Sequence, residues 1–412
     1  MAAMTSDLAA FKAALAKGSG RAMILLQEAK GAGFTAALLE ACWINPAYDP
    51  QCEADRAPWL ARLVEASGEL DDMFDRILAG VEGWGDCDEE IHFPLRVLCH
   101  MAAAHPALDR SRLMAVLDAQ DEDDRLLLAD QFIQLNGYPA FREALSRIGP
   151  EWDEDGWMAE DWLKVLRERE GPAIEAVLAA DAATDALVAK ALAGRPERPP
   201  SPPRAPEPIE SLRETLRAGK SRWGPLSRPR PEAELRLLAQ DLAECDEGGR
   251  ALPYLRFFAR QPWPGDPKTL LRWRSDGDQR VRFFARRALE QVDHWAVRAL
   301  ALKALAALEP WSVGLLKSNY RPGDYPLIAA VIENDMTPFQ AHDLIMDVLD
   351  IREQLTPDER RDALLKAYDK TPCSYCREDV VAALRNDGDL PRWMAKECRY
   401  DADPETAALA DA

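Results

Sequence analysis

The chain has 412 residues, with 51 Lys plus Arg against 71 Asp plus Glu and a net charge of −20. An acidic surface of this size repels phosphate backbones and anionic membranes at long range, which disfavours nucleic acid as a partner. Ala, Leu, Arg and Glu dominate, strand-forming runs are scarce, and no segment approaches the ~20 apolar residues of a membrane span, so an all-α chain is predicted.

Residues 1 to 30 carry charge every few positions (Asp7, Lys12, Lys17, Arg21) and lack the apolar stretch of a signal peptide, so they read as the first helical hairpin of a cytoplasmic protein. The eight cysteines (Cys42, Cys52, Cys87, Cys99, Cys245, Cys373, Cys376, Cys398) are scattered, several inside apolar stripes, as expected for packed thiols. Turn signals at Gly18-Ser19-Gly20, Asn45-Pro46, Gly83-Trp84-Gly85, His105-Pro106, Asn136-Gly137 and Gly149-Pro150 cut the segment to Gly194 into helices of about three turns. The helix around 91–104 is apolar almost all round and has one polar stripe, His92, Arg96 and His100. Two histidines eight residues apart sit about 12 Å apart along a helix axis, too far to share a metal. They are expected to satisfy acids such as those in 86–90, or to line a groove. The acidic runs 121–124 and 151–155 precede helices and read as caps rather than calcium loops.

A Pro-rich stretch from Gly194 to Pro208 and a second break at 223–231 leave one isolated helix near 209–218. Three regions follow: an N-terminal helical lobe at 1–194, a linker at 195–231 and a C-terminal lobe at 232–412. The C-terminal lobe contains the clearest internal pattern. Val281-Arg282-x2-Ala285-x2-Ala288-Leu289 recurs as Val297-Arg298-x2-Ala301-x2-Ala304-Leu305 and as Cys376-Arg377-x2-Val380-x2-Ala383-Leu384, with a looser copy at Leu95-Arg96. Each copy places apolar residues at i, i+4, i+7 and i+8, one stripe of a helix, with an arginine at its edge.

Asp278 through Leu289, with Asp293, Val297 and Arg298, resembles the signature of HEAT-like and armadillo-like helical repeats. The segment from Cys373 to Thr406 looks like the closing repeat of bacterial HEAT-like proteins to which no activity is attached. The resemblance implies an α-solenoid of stacked antiparallel hairpins in two lobes. It also implies that Asp278, Arg282, Asp293, Arg298 and Arg377 form a structural ladder between repeats. Such solenoids are commonly binding surfaces, so the expected function is a non-catalytic scaffold that engages another protein, with no cofactor.

Between Arg250 and Leu300 ten arginines and one lysine face four aspartates and one glutamate, a local charge of 11 − 5 = +6. Aromatic residues interleave with them. On the helix after Asp278, the residues Arg280, Phe283, Arg287 and Gln291 share a face turned away from the core stripe, and Arg256, Arg260, Trp273 and Arg274 extend the candidate anion-binding surface. The competing arrangement is a set of salt bridges to Asp276, Asp278 and Glu290 over an aromatic core. The alternative function is nucleic-acid binding: HEAT-like DNA glycosylases use a basic face with tryptophans and an aspartate, and Trp273, Asp276 or Asp278, Arg280 and Trp295 supply those residue types. Cys373-x2-Cys376 has the spacing of half a zinc site or of a redox pair, with Cys398 and His342 available to complete it. Cys376 also occupies an apolar position of the repeat, as a packed thiol does, so no metal is expected.

Overall fold

The computed structural model describes residues 2–30, 33–83, 92–120, 126–149, 156–194, 207–220 and 229–410. All secondary structure among them is helical, and no helix is long and apolar enough to cross a membrane. The Trp84-Gly85 turn, Cys87, the acids at 86–90, both acidic runs, Pro150 and most of the Pro-rich stretches lie outside the described residues.

Local chemistry fixes the helix starts. Asp109, Asp185, Asp266, Asp278 and Asp403 accept backbone N–H groups of the first helical turns. Thr337 and Thr356 form reciprocal capping boxes with Gln340 and Glu359, each followed by proline at the first helical position. Each cap satisfies donors that a helix end otherwise leaves open, an effect of about 1 kcal/mol.

Contacts divide the chain into two compact units, Met1–Ser201 with Arg392–Ala412, and Pro202–Pro391. In the first, the Ala57–Ser67 helix packs chiefly on His92–Ala104, and Trp59, Phe74, Leu98, Ile133 and Phe141 fill the core. The final 21 residues belong to this unit, 392–412 being counted inclusively. Tyr400 accepts a hydrogen bond from Trp59 Nε1 at 2.8 Å, Ala402 donates its N–H to the Gly18 carbonyl at 2.9 Å, and Glu397 pairs with Arg21 at 2.8 Å. The Gly18-Ser19-Gly20 turn makes this docking feasible. Gly18 has φ +66°, and a Cβ on Gly20 would lie 1.8 Å from the Glu397 carbonyl oxygen.

In the second unit, the Ile209–Arg217 helix inserts Leu212 and Leu216 into the core and sets Arg213 and Arg217 on Asp241. The stripe read from the sequence is the buried one: Val281, Ala285, Ala288 and Leu289, then Val297, Ala301, Ala304 and Leu305. The two helices carrying it choose different neighbours. Gln279–Leu289 packs mainly on Gly248–Phe258, whereas Trp295–Ala306 packs on the turns at 310–316 and on Tyr325–Glu333.

Candidate functional site

Three elements of the second unit enclose a cleft of about 200 Å³. The Gln279–Leu289 helix buries its apolar stripe and therefore turns Phe283, Arg286 and Arg287 outward, with Glu290 just beyond its end on the same face. The short turn Pro310–Ser312 supplies Pro310 and Trp311. The Pro338–Ile351 helix, started by its capping box, supplies Phe339, Gln340, Asp343 and Asp347. Phe339 stands at the rim, 58% exposed.

The charges in this cleft are unevenly matched. Arg287 reaches Asp347 at 3.0 Å, Glu290 at 3.2 Å and Asp343 at 3.8 Å. Lys317 joins from the following segment, 2.8 Å from Glu290 and 2.9 Å from both Asp347 and Asp350. Two cations thus serve four carboxylates. Burial and then the charge of Glu290 push the Asp347 carboxyl up to about 6, against the pull of Lys317 and Arg287. For Lys317 burial acts downward, but the carboxylates of Asp347 and Glu290 outweigh it and hold the ammonium above its ordinary range. The two directions agree physically: each cation has surplus partners, while the acids crowd one another. Gly314 lets the backbone approach this cluster, because a Cβ there would lie 2.7 Å from Asp347 Oδ2 and 2.9 Å from Glu290 Oε1.

Arg286 is differently placed. Its guanidinium lies over the Trp311 ring, 5.1 Å from the centroid, and its Nε donates to the Arg282 carbonyl at 3.3 Å. Among the described residues it makes no ion pair. Burial, then the nearby Arg282 charge, weaken its hold on the proton. The charges of Glu309, Asp343 and Glu290 reach it only from a distance, so a half-buried cation that makes no direct pair still has donors to offer an incoming anion.

Of the residues singled out in the sequence, Phe283 and Arg287 line the cleft, and Arg256, Arg260, Trp273, Arg274 and Arg280 do not. Arg280 is paired with its own helix cap, Asp278, at 2.9 Å. Arg256 lies over the Phe284 ring, Arg260 and Arg274 are exposed, and Trp273 is a core residue with Arg272 on its ring. Trp295 is 73% exposed and tilts against His294. Arg282 donates to the carbonyls of Asp276 and Gly277, and Arg298 grips Asp324 through both terminal nitrogens. Asp293 is exposed, His294 caps the helix that follows it, and Arg377 is buried. Arg286 and the acids on the Pro338–Ile351 helix escaped sequence reading. Glu290 is i+3 from Arg287 and i+4 from Arg286, so spacing alone leaves either arginine as its partner.

In the first unit, His100 meets Gln134 at 3.1 Å and Arg96 pairs with Asp55 at 2.6 Å. His100, His105, Arg62 and Glu65 line a broad depression there. Burial pushes the His100 imidazole toward its neutral form, and burial likewise pushes the Cys42 thiol up to about 12, a packed thiol. Cys373 and Cys376 converge with His342, whereas Cys398 lies buried in the first unit.

No protein-family model matches this chain, and no curated protein matches its sequence.

Proposed function

We propose that the chain is a non-catalytic cytoplasmic binding protein, a two-lobed HEAT-like solenoid, that captures a protein partner through a short segment carrying an apolar or aromatic side chain beside a carboxylate. The observation that carries this reading is Arg286, a cation with no ion pair among the described residues, stacked on Trp311 at the edge of an aromatic cleft. The cleft's volume falls below the ~300 Å³ lower end of small-molecule pockets, which suits one anchoring side chain better than a metabolite. Phe283, Trp311 and Phe339 supply apolar walls for that side chain, and buried aromatic and arginine anchors dominate the energetics of protein interfaces. Other arginines of the basic segment are engaged: Arg280, Arg287 and Arg298 all pair with acids, which leaves less charge for a phosphate backbone.

The test is recovery of the partner on the intact protein from its own cells, followed by affinity measurements with Arg286→Glu and Phe339→Ala. Each substitution is expected to weaken binding about tenfold or more. A partner bound equally well by both variants, or stoichiometric recovery of DNA with a steep salt dependence, would overturn the reading.

A further inference from the structure

Away from the cleft, the Pro338–Ile351 helix presents His342 and, one turn later, Met346 to the start of the Ser374–Asn386 helix. Cys373 is the N-cap residue of that second helix and Cys376 lies in its first turn. Cys376 Sγ is 3.3 Å from His342 Nδ1 and 3.7 Å from Met346 Sδ. One ligand atom each from His342, Cys373 and Cys376 all lie within 4.8 Å of one another. Both sulfurs are buried, and His342 is half-buried, which leaves an approach from solvent.

We propose that His342, Cys373 and Cys376 bind one thiophilic d10 cation, zinc or monovalent copper, with the Met346 thioether completing the donor set for copper. Metal–sulfur bonds of about 2.3 Å and metal–nitrogen bonds of about 2.0 Å at tetrahedral angles put donor atoms about 3.5–3.8 Å apart. The observed Cys376–His342 distance already fits that edge, and the widest pair needs a contraction of only about 1 Å, within rotamer adjustment. Two thiolates, an imidazole and a thioether form a soft set, which selects zinc or monovalent copper over the oxygen-seeking magnesium and calcium. Either ion requires thiolates, and its binding releases the thiol protons. Binding would staple two helices that already pack on each other, so occupancy adds to stability by mass action.

The experiment uses the full-length protein, reduced and kept anaerobic, titrated in separate arms with zinc and with monovalent copper against chromophoric chelators. Cobalt serves as a spectroscopic stand-in in the zinc arm. One equivalent bound in at least one arm, a thiolate-to-cobalt charge-transfer band and a raised melting temperature are expected. Cys373→Ser should abolish that equivalent. His342→Gln changes a half-buried side chain that is not one of the buried core residues, so the variant is expected to fold, and it should weaken binding at least tenfold. Met346→Leu should weaken copper binding and leave zinc binding unchanged. Failure of both ions to bind, or one equivalent held undiminished by Cys373→Ser and His342→Gln, overturns the site.

Discussion

Arg286 lies over the Trp311 ring at 5.1 Å, and the adjacent Arg287 turns instead into Glu290 and Asp347. Neighbours in sequence therefore play opposite parts, which predicts opposite outcomes for one substitution. Arg286→Gln removes a stacked cation and is expected to lower unfolding stability by no more than about 1 kcal/mol. Arg287→Gln leaves Glu290 and Asp347, both nearly buried, short of a counter-charge. Its expected loss is about 2–4 kcal/mol, less than for a fully buried pair because the Arg287 side chain is itself 27% exposed. Urea unfolding of the two variants beside the unaltered protein checks the order, and equal midpoints would remove the distinction.

The second prediction concerns pH. Asp347 faces Glu290, Arg287 and Lys317, with Asp343 and Asp350 on its own helix. Its carboxyl is pushed up to about 6, so between its ordinary value of 3.8 and that point the folded state binds more protons than the unfolded one. Stability contributed by this group therefore falls as pH rises through that window. Asp347→Asn cannot titrate, and relative to the unaltered protein it should gain on the order of 2–3 kcal/mol between about pH 4 and pH 7. A relative stability that stays flat across the window would show that Asp347 titrates normally. In the same window, loss of the Asp347 proton adds a negative charge to the cleft, so affinity for an acidic segment at Arg286 should fall as pH rises.

Much of the helical architecture was legible because it is local. Val281, Ala285, Ala288 and Leu289 repeat at helical spacing, and the structure buries all four. Asp278, expected as a rung between repeats, caps its own helix. The cleft was legible only in part, because it depends on residues brought together across long separations. Phe283 and Arg287 were reachable from one helix face, but Asp347 lies 60 residues from Arg287 and carries no spacing signal that links it to that face. The docking of 392–412 onto the first unit was illegible for the same reason: Trp59 and Tyr400 are 341 residues apart.

That docking yields a third prediction. Gly20 has an ordinary backbone angle, so what forbids a side chain there is the Glu397 carbonyl, 1.8 Å from the position of a Cβ. Gly20→Ala must push the Arg392–Cys398 helix away and strain the Trp59–Tyr400 hydrogen bond and the Arg21–Glu397 pair. The expected loss is about 1–3 kcal/mol, as for overpacking of a close contact. Hydrogen exchange should show the Ala402 amide, bonded to the Gly18 carbonyl at 2.9 Å, exchanging faster in the variant. Unchanged protection at Ala402 would mean that the tail is held by other contacts.

The fourth prediction separates two of the arginines of the repeated pattern, Arg282 and Arg298. Arg298 holds Asp324 through two bonds, 2.6 and 2.8 Å, and both side chains are largely buried. Burial acts to raise the Asp324 carboxyl, but the hydrogen bond from Arg298, the backbone N–H of Arg321 and the charges of both arginines together outweigh it and hold the group below its ordinary value. The pair's contribution is therefore present above the ordinary carboxylate range and is lost as pH falls through the lowered value. Arg282 occupies the equivalent place in its helix, yet among the described residues its side chain bonds to the backbone carbonyls of Asp276 and Gly277 and to no carboxylate. A double-mutant cycle between Arg298→Ala and Asp324→Ala should give a coupling of about 1–3 kcal/mol at neutral pH that collapses in acid. The effect of Arg282→Ala, with carbonyl partners only, should have no such acid dependence between the same pH limits. If the Arg298–Asp324 coupling is near zero, the arginine at the edge of the stripe adds nothing to the packing of its helix. The buried apolar residues Val297, Ala301 and Leu305 then hold the Trp295–Ala306 helix to its neighbours unaided.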